Sequence, residues 1–229
     1  MTLGYHTHMR MQRHAIGLVC LCFFAGAALS AADFWSEKPF LEWSDGNVEK
    51  MTTASPWAAI VAVALPPGRP VPSGDAADGR GGRGGGDEGF APLPTRIRLT
   101  ISWRSALPVK QAIVRAQVGR RGTPTPDHNT FLSQAEQFYV IGVGGLPPQY
   151  LRGDSTIEAF LRRKDKADIP AQQAGSSQPG PGATMLIGFP RGEIAAADNE
   201  VEFAAKIGTL EVKRKFKLAD MMFGGNLEL

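Results

Sequence analysis

Val201-Glu202-Phe203-Ala204-Ala205-Lys206-Ile207 and Leu210-Glu211-Val212-Lys213-Arg214-Lys215-Phe216 are two alternating segments separated only by Gly208-Thr209. Alternation with period two marks strands that bury one face, and a Gly-X pair between them suits a type II′ turn. Folding the chain there sets Ile207 opposite Leu210, Ala205 opposite Val212, Phe203 opposite Arg214 and Val201 opposite Phe216. The other face then pairs Lys206 with Glu211, Glu202 with Lys215 and Glu200 with Lys217. Opposite charges directly across strands contribute about 0.2–1 kcal/mol each. A one-residue slip would invert the buried face and break the charge pairs together. The sequence therefore predicts an antiparallel hairpin in this register.

Working upstream, Ile97, Leu99, Ile101 and Trp103 alternate with Arg96, Arg98, Thr100 and Ser102, a second strand with one wet face. Ala59–Leu65 and Phe138–Val143 read as further strands. Ser44 is placed to cap a helix from Asp45 to about Ala54, with Trp43 and Val48 as a hydrophobic staple and Pro56 as the stop. Pro108–Val118 predicts another helix. Ser155-Thr156-Ile157-Glu158 has the form of a capping box and predicts a helix ending in Arg162, Arg163 and Lys164. Together these give an α+β fold: a single domain over residues 33–229, mostly antiparallel sheet, with the hairpin at one end and a few helices on one face.

Two stretches interrupt the pattern. Residues 66–94 contain nine glycines and six prolines with only Val71, Phe90 and Leu93 as large apolar side chains, and read as a disordered Gly/Pro-rich insertion. Residues 170–183 are a second breaker-rich segment.

The first residues read as an address. Arg10 and Arg13 precede an apolar run from Ala15 to Leu29, followed by Ser30, Ala31 and Ala32, the order of a secretory signal peptide over residues 1–32. The run is too short for a membrane helix of about 20 residues, so no membrane span is expected after cleavage. Met9 and Met11 are alternative starts. The 229-residue chain has a formal charge of +3, and cleavage after Ala32 leaves +1. Cleavage also removes both cysteines, Cys20 and Cys22, and leaves His128 as the one histidine. Thiolate zinc sites and multi-imidazole sites are thereby excluded from the mature chain, and no cofactor is expected.

Several motifs imitate chemistry without completing it. Gly79-Arg80-Gly81-Gly82-Arg83-Gly84-Gly85 resembles an RNA-binding segment, but acidic residues outnumber basic ones across 66–94, so no nucleic-acid partner is expected. The basic run Lys213–Lys217 belongs to the hairpin's wet face. Gly153-Asp154-Ser155 resembles the start of an esterase block, yet His128 lies upstream and the order is reversed; a helix cap explains Ser155 better. His128 itself reads as a loop residue in Pro124–Asn129. Gly142-Val143-Gly144-Gly145 follows a strand as a dinucleotide loop would, but Pro147 occupies the third glycine position. Asp45, Asn47 and Glu49 start like a calcium loop, with Lys50 where glycine is needed. Asp165, Asp168 and Asp198 are scattered carboxylates that would make a cation or glycosidase site only if the fold converged them.

Trp35, Trp43 and Trp57, with Phe34 and Phe40, concentrate aromatic area at the start of the mature chain. They are the candidate ligand-binding residues, able to stack on sugar rings, unless they are core. Phe34-Trp35-x-x-Lys38, Trp43-Ser44 and Ser55-Pro56-Trp57, with Leu210-x-Val212-Lys213-Arg214-Lys215-Phe216-Lys217-Leu218 and Asn226-Leu227-Glu228-Leu229, resemble a family of short exported bacterial proteins of unknown function. The resemblance implies export and a single domain and assigns no activity or site.

The reading that results is a periplasmic or secreted, non-catalytic binding module whose partner is an envelope component or a glycan. Two alternatives stay open: a glycan hydrolase using carboxylates alone, and a purely structural envelope component. A convergent acid pair in a pocket would favour the hydrolase.

Overall fold

A computed structural model describes residues 34–65, 96–151, 155–177 and 182–229. The expected signal peptide, the expected insertion at 66–94 and the Gly153-Asp154 pair lie outside the described residues. Helices α1 (Phe34–Glu37) and α2 (Asp45–Thr53) open the fold, followed by β1 (Ala54–Ser55), β2 (Ala58–Ala64), β3 (Arg96–Trp103), α3 (Leu107–Val118), α4 (Pro126–Ser133) and β4 (Phe138–Gly144). Then come β5 (Ile157–Arg163), β6 (Ile169–Pro170), β7 (Gln173–Ser176), β8 (Thr184–Pro190), β9 (Glu200–Ile207) and β10 (Leu210–Lys217), with a small terminal hairpin of β11 (Met222–Phe223) and β12 (Asn226–Leu227).

The fold is α+β with antiparallel sheets. The strands divide into a six-stranded sheet, β1-β2-β3-β4-β8-β7, and a four-stranded sheet, β10-β9-β5-β6. The inward faces of the two sheets meet. Trp103 of β3 sets its ring edge-to-face on Phe216 of β10 at 5.3 Å, and Phe189 of β8 does so on Phe203 of β9 at 6.2 Å. Edge-to-face contact is the favoured aromatic geometry. The chain changes sheets within two residues: the Ala171 amide donates to Ala159 O in the four-stranded sheet, and the Gln172 amide to Gly188 O in the six-stranded one. Crossing strands of this kind make the corners of packed sheets. The breaker-rich stretch at 170–183 thus contributes β7 and the end of β6.

The C-terminal hairpin has the register read from its sequence, Ile207 opposite Leu210 through Glu200 opposite Lys217. Gly208 takes φ +57° at the turn. The ion pair that forms is diagonal, Lys215 to Glu200 at 2.8 Å, because Arg162 of β5 reaches Glu202 from the other side at 3.7 Å. Ser44 caps α2 by accepting from the Asn47 amide, and Trp43 is buried beside it.

Two local expectations are corrected. The helix from Ser155 is strand β5, paired with β9 from Ile157 opposite Ile207 to Arg163 opposite Val201. Ile157, Ala159 and Leu161 alternate with Glu158 and Arg162, and these charges face Lys206 and Glu202 across the ladder. Cross-strand partners outweighed a local cap whose helix would have left a sheet edge open. The Pro124–Asn129 loop is instead the first turn of α4. Thr125 accepts from the His128 amide, and His128 Nδ1 accepts from the Thr125 amide at 3.0 Å, a capping box in which histidine stands for glutamate.

Candidate functional site

The structure places the tryptophans in the core. Trp35, Trp43 and Trp57 are 7%, 1% and 0% exposed. Phe34 meets Trp35 and Trp43 edge-to-face, and Trp35 meets Trp57 at 5.6 Å. The polar edges of Trp43 and Trp57 are spent inside the fold: Trp43 donates to Lys38 O, and Trp57 donates to Glu228 O at 2.7 Å. None of the three presents a face on which a sugar could stack, so the ligand-binding expectation for these residues is replaced by a packing role.

The carboxylates do not converge either. Asp168 pairs with Arg162 at 3.2 Å, Asp198 pairs with Lys166, and Asp165 sits in a turn at φ +57°. Ala195 donates its amide to Asp198, and this bond, ahead of the Lys166 contact, holds the Asp198 carboxyl below its usual range. Among the described residues no three acidic, histidine or cysteine side chains gather as a metal would need. Gly142 and Gly144 lie within β4, and Pro148–Tyr150 after them is a single tight turn, so no helix opens there on a pyrophosphate.

A different feature stands out on the outer face of the six-stranded sheet. The ladders bring Ser102, Gly142, Leu186 and Gly175 into one row, Thr100, Gly144 and Thr184 into the next, and Val140, Gly188 and Gln173 into the row on the other side. Four of these ten positions are glycine, so the sheet surface sinks into a trough with backbone at its floor. Two hollows of about 240 and 310 Å³ open along it. The first lies between α2 and the sheet, with Thr52 and Thr53 at its rim and Thr100, Ser102, Thr184 and Arg104 around it. The second is lined by Val140, Leu186, Gly175, Gly188 and Gln173.

Arg104 commands the first hollow. It follows β3, is anchored by its amide to Val140 O at 2.7 Å, and lays its stem across Gly142. A Cβ on Gly142 would lie 2.7 Å from Arg104 Cγ, so only glycine lets the arginine lie there. The guanidinium is half-buried, and desolvation pushes it below its ordinary value, yet it has no carboxylate or carbonyl partner among the described residues. Arginine stays charged in proteins, so this half-buried guanidinium gives the hollow a positive charge. The hydroxyls of Thr100, Ser102 and Thr184 likewise make no hydrogen bond among the described residues, while Thr52 and Thr53 spend their protons on helix carbonyls. Among the described residues, no acidic side chain lines this hollow.

Two other hollows carry charges of both signs, each with three basic and two acidic side chains among its described lining. On the outer face of the four-stranded sheet, Phe160 walls a space over Ala204, but its charges alternate in rows, Glu158-Lys206-Glu211 and Arg162-Glu202-Lys215. Near Pro56, Arg214 lies 5.6 Å from the Phe216 ring, in a hollow that also holds Glu200 and Asp220. No protein-family model, curated protein or solved structure matches the chain.

Proposed function

We propose that this is an exported, non-catalytic binding module, periplasmic or secreted, that takes an anionic group on the outer face of its six-stranded sheet. The observation that carries the proposal is Arg104: a half-buried guanidinium with no partner among the described residues, seated on a glycine and surrounded by uncommitted hydroxyls. The guanidinium is half-buried and keeps its contact with solvent, where a bidentate anion can meet it through two parallel charge-assisted bonds. Serine and threonine hydroxyls add donors without adding charge. A trough open along its length is suited to holding a ligand rather than to excluding water from a reaction. The paired states of Asp168 and Asp198 favour binding over a hydrolase built on those acids. Export rests on the charged, apolar and small-residue order of residues 10–32.

The test is titration of acetate, sulfate and inorganic phosphate into isotope-labelled protein, with the Arg104→Met variant as control. Saturable shifts at the Thr100, Ser102, Gly142 and Gly144 amides that vanish in the variant support the reading. Shifts that persist without Arg104, or their absence up to tens of millimolar, refute it. Intact-mass analysis of exported protein tests the leader: a mature chain beginning upstream of Gly26 contradicts cleavage near Ala32.

A further inference from the structure

We infer that the ligand is a linear carboxylated glycan lying along β3 on the outer face of the six-stranded sheet, with Arg96 and Arg98 holding it beyond the Arg104 hollow. The inference rests on the Arg104 reading and names its ligand class. Its ground is the sign of the charges on that face. Side chains alternate between the faces of a strand, so the ladders put Arg96, Arg98, Thr100 and Ser102 of β3 on the outer side with Gly142 and Gly144. Arg96 and Arg98 are exposed, and no other outward position of the sheet is charged: β2 contributes Ala58, Ile60, Ala62 and Ala64, and the outward positions of β4, β8 and β7 are neutral. Arg104 folds back over the same face by crossing Gly142, and α2 borders it with Thr52 and Thr53.

The outer face of the four-stranded sheet provides the contrast. There Glu158, Glu202 and Glu211 interleave with Arg162, Lys206 and Lys215, and ion pairs form within the face, Arg162 with Glu202 and Lys215 with Glu200. On the six-stranded sheet, Arg96, Arg98 and Arg104 have no ion pair among the described residues. Charges of a single sign set up a positive field along the face, and an anion is the partner that such a field attracts. The stripe is also long. Arg96 and Ser102 are six residues apart in one strand, about 20 Å, which is beyond the reach of one small anion.

The groups between the cations name the polymer. Thr100, Ser102 and Thr184 present hydroxyls with no hydrogen bond among the described residues, and a hydroxyl both donates and accepts, as those of a sugar do. An extended peptide would need pockets for its alternate side chains, whereas the small Ala62 and Ala64 opposite Arg98 and Arg96 form an open shelf. Sparse arginines among neutral hydroxyls match a chain with one carboxylate per sugar, each open to a bidentate guanidinium bond. Arginine stems are long and rotatable, so the sign and length of the stripe make the selection rather than a fixed spacing of head groups.

Calorimetry at low ionic strength decides the matter with full-length protein and these probes: galacturonic acid, a long galacturonate oligomer, the methyl ester of that oligomer, poly-L-glutamate of matched charge, and a sulfated dextran. The oligomer is expected to bind at least about tenfold more tightly than the single sugar or the ester. Arg96→Gln combined with Arg98→Gln reduces oligomer affinity about fivefold or more and leaves the affinity for the single sugar within about twofold, while Arg104→Met removes single-sugar binding. Oligomer affinity unchanged in the Arg96→Gln, Arg98→Gln variant, or equal binding of ester and acid, overturns the inference and leaves Arg104-dependent binding of the single anion standing. Tighter binding of poly-L-glutamate or of the sulfated chain than of the oligomer also overturns it, assigning the face to acidic peptides or to denser polyanions. Absence of Arg104-dependent binding by every probe overturns both readings. Should Arg104→Met fail to fold, the exposed Arg96 and Arg98 substitutions carry the test by the same criterion.

Discussion

Replacing Glu228 with alanine should remove a cap that comes from the far end of the sequence. Helix α3 begins after Ala106, which has no side-chain oxygen with which to cap it. The Leu107 amide instead donates to Glu228 Oε1 at 2.9 Å, across 121 residues. The carboxylate does two things there: it satisfies an orphan amide and places negative charge at the positive end of the helix. Loss of a cap costs about 0.5–2 kcal/mol, and loss of the favourable charge about 0.3–1 kcal/mol, so Glu228→Ala should destabilise by about 1–3 kcal/mol. Glu228→Gln keeps an acceptor and loses only the charge, for about 0.3–1 kcal/mol. The backbone bonds of Glu228 to Trp57 and Met221 remain in both variants, which isolates the side chain. Urea unfolding should show midpoints falling in the order wild type, Gln, Ala, with unchanged slopes. An alanine variant within about 0.3 kcal/mol of wild type would refute the capping argument. Equal losses for both variants would shift the cause to backbone displacement.

Three further outcomes follow from the same geometry. Gly208→Val should destabilise by about 1–3 kcal/mol, since the turn holds φ +57° and an added Cβ would press on the Tyr150 ring at 3.3 Å; thermal melts read the effect, and an unchanged melt contradicts the turn assignment. Lys110, 2% exposed, pairs with Glu136 at 2.8 Å and lies 4.9 Å from the Phe131 ring, tying α4 to α3. Lys110→Met should cost about 1–3 kcal/mol because it strands a half-buried carboxylate, and Lys110→Met with Glu136→Leu should recover part of the loss; a double variant worse than the single one is the contrary result. The folded pKa of Asp198 lies below its unfolded value of about 3.9. Its contribution is therefore present above about pH 4 and lost as pH falls through the folded value. Wild type should exceed Asp198→Asn in stability at neutral pH, with the gap closing below about pH 4; a gap constant down to pH 2 contradicts the assignment.

The fold was legible wherever two independent patterns agreed on one structure. In the C-terminal hairpin, apolar alternation and charge pairing selected the same register, and the observed ladder has it. Ser44 with Asp45–Thr53 was legible because an N-cap and a stop signal bracket the helix. Reading failed where one local signal was trusted over a weaker nonlocal one. Ser155-Thr156-Ile157-Glu158 offered a cap worth about a kcal/mol, while the alternation through Leu161 pointed to a strand whose partners, Glu202 and Lys206, lie some forty residues on. The division into two facing sheets was beyond reach for a related reason: the Ala171-Gln172 crossing depends on backbone bonds to Ala159 and Gly188, which no side-chain pattern encodes.

The candidate site escaped notice because its signal is carried by what is missing. Tryptophans invited attention as stacking platforms, but a large aromatic side chain is also the most effective core filler, and burial at 0–7% exposure shows that packing claimed them. Arg104 gave no sign at the sequence level, being one arginine among many near the end of a strand. The informative residues were its neighbours. Gly142 and Gly144 fall two apart in a strand otherwise rich in β-branched residues, and Gly188 interrupts Met185-Leu186-Ile187-Phe189 in the same way. Glycine weakens a strand, and at alternate positions it weakens a single face. Such a face needs something laid close against it to offset that cost. Here the covering groups are the Arg104 and Gln173 stems, whose head groups have no described partner. Glycines two apart in a β-branched strand, with a long polar residue just beyond a neighbouring strand, therefore point to a shallow site on an outer sheet face, where pattern reading looks only for solvent.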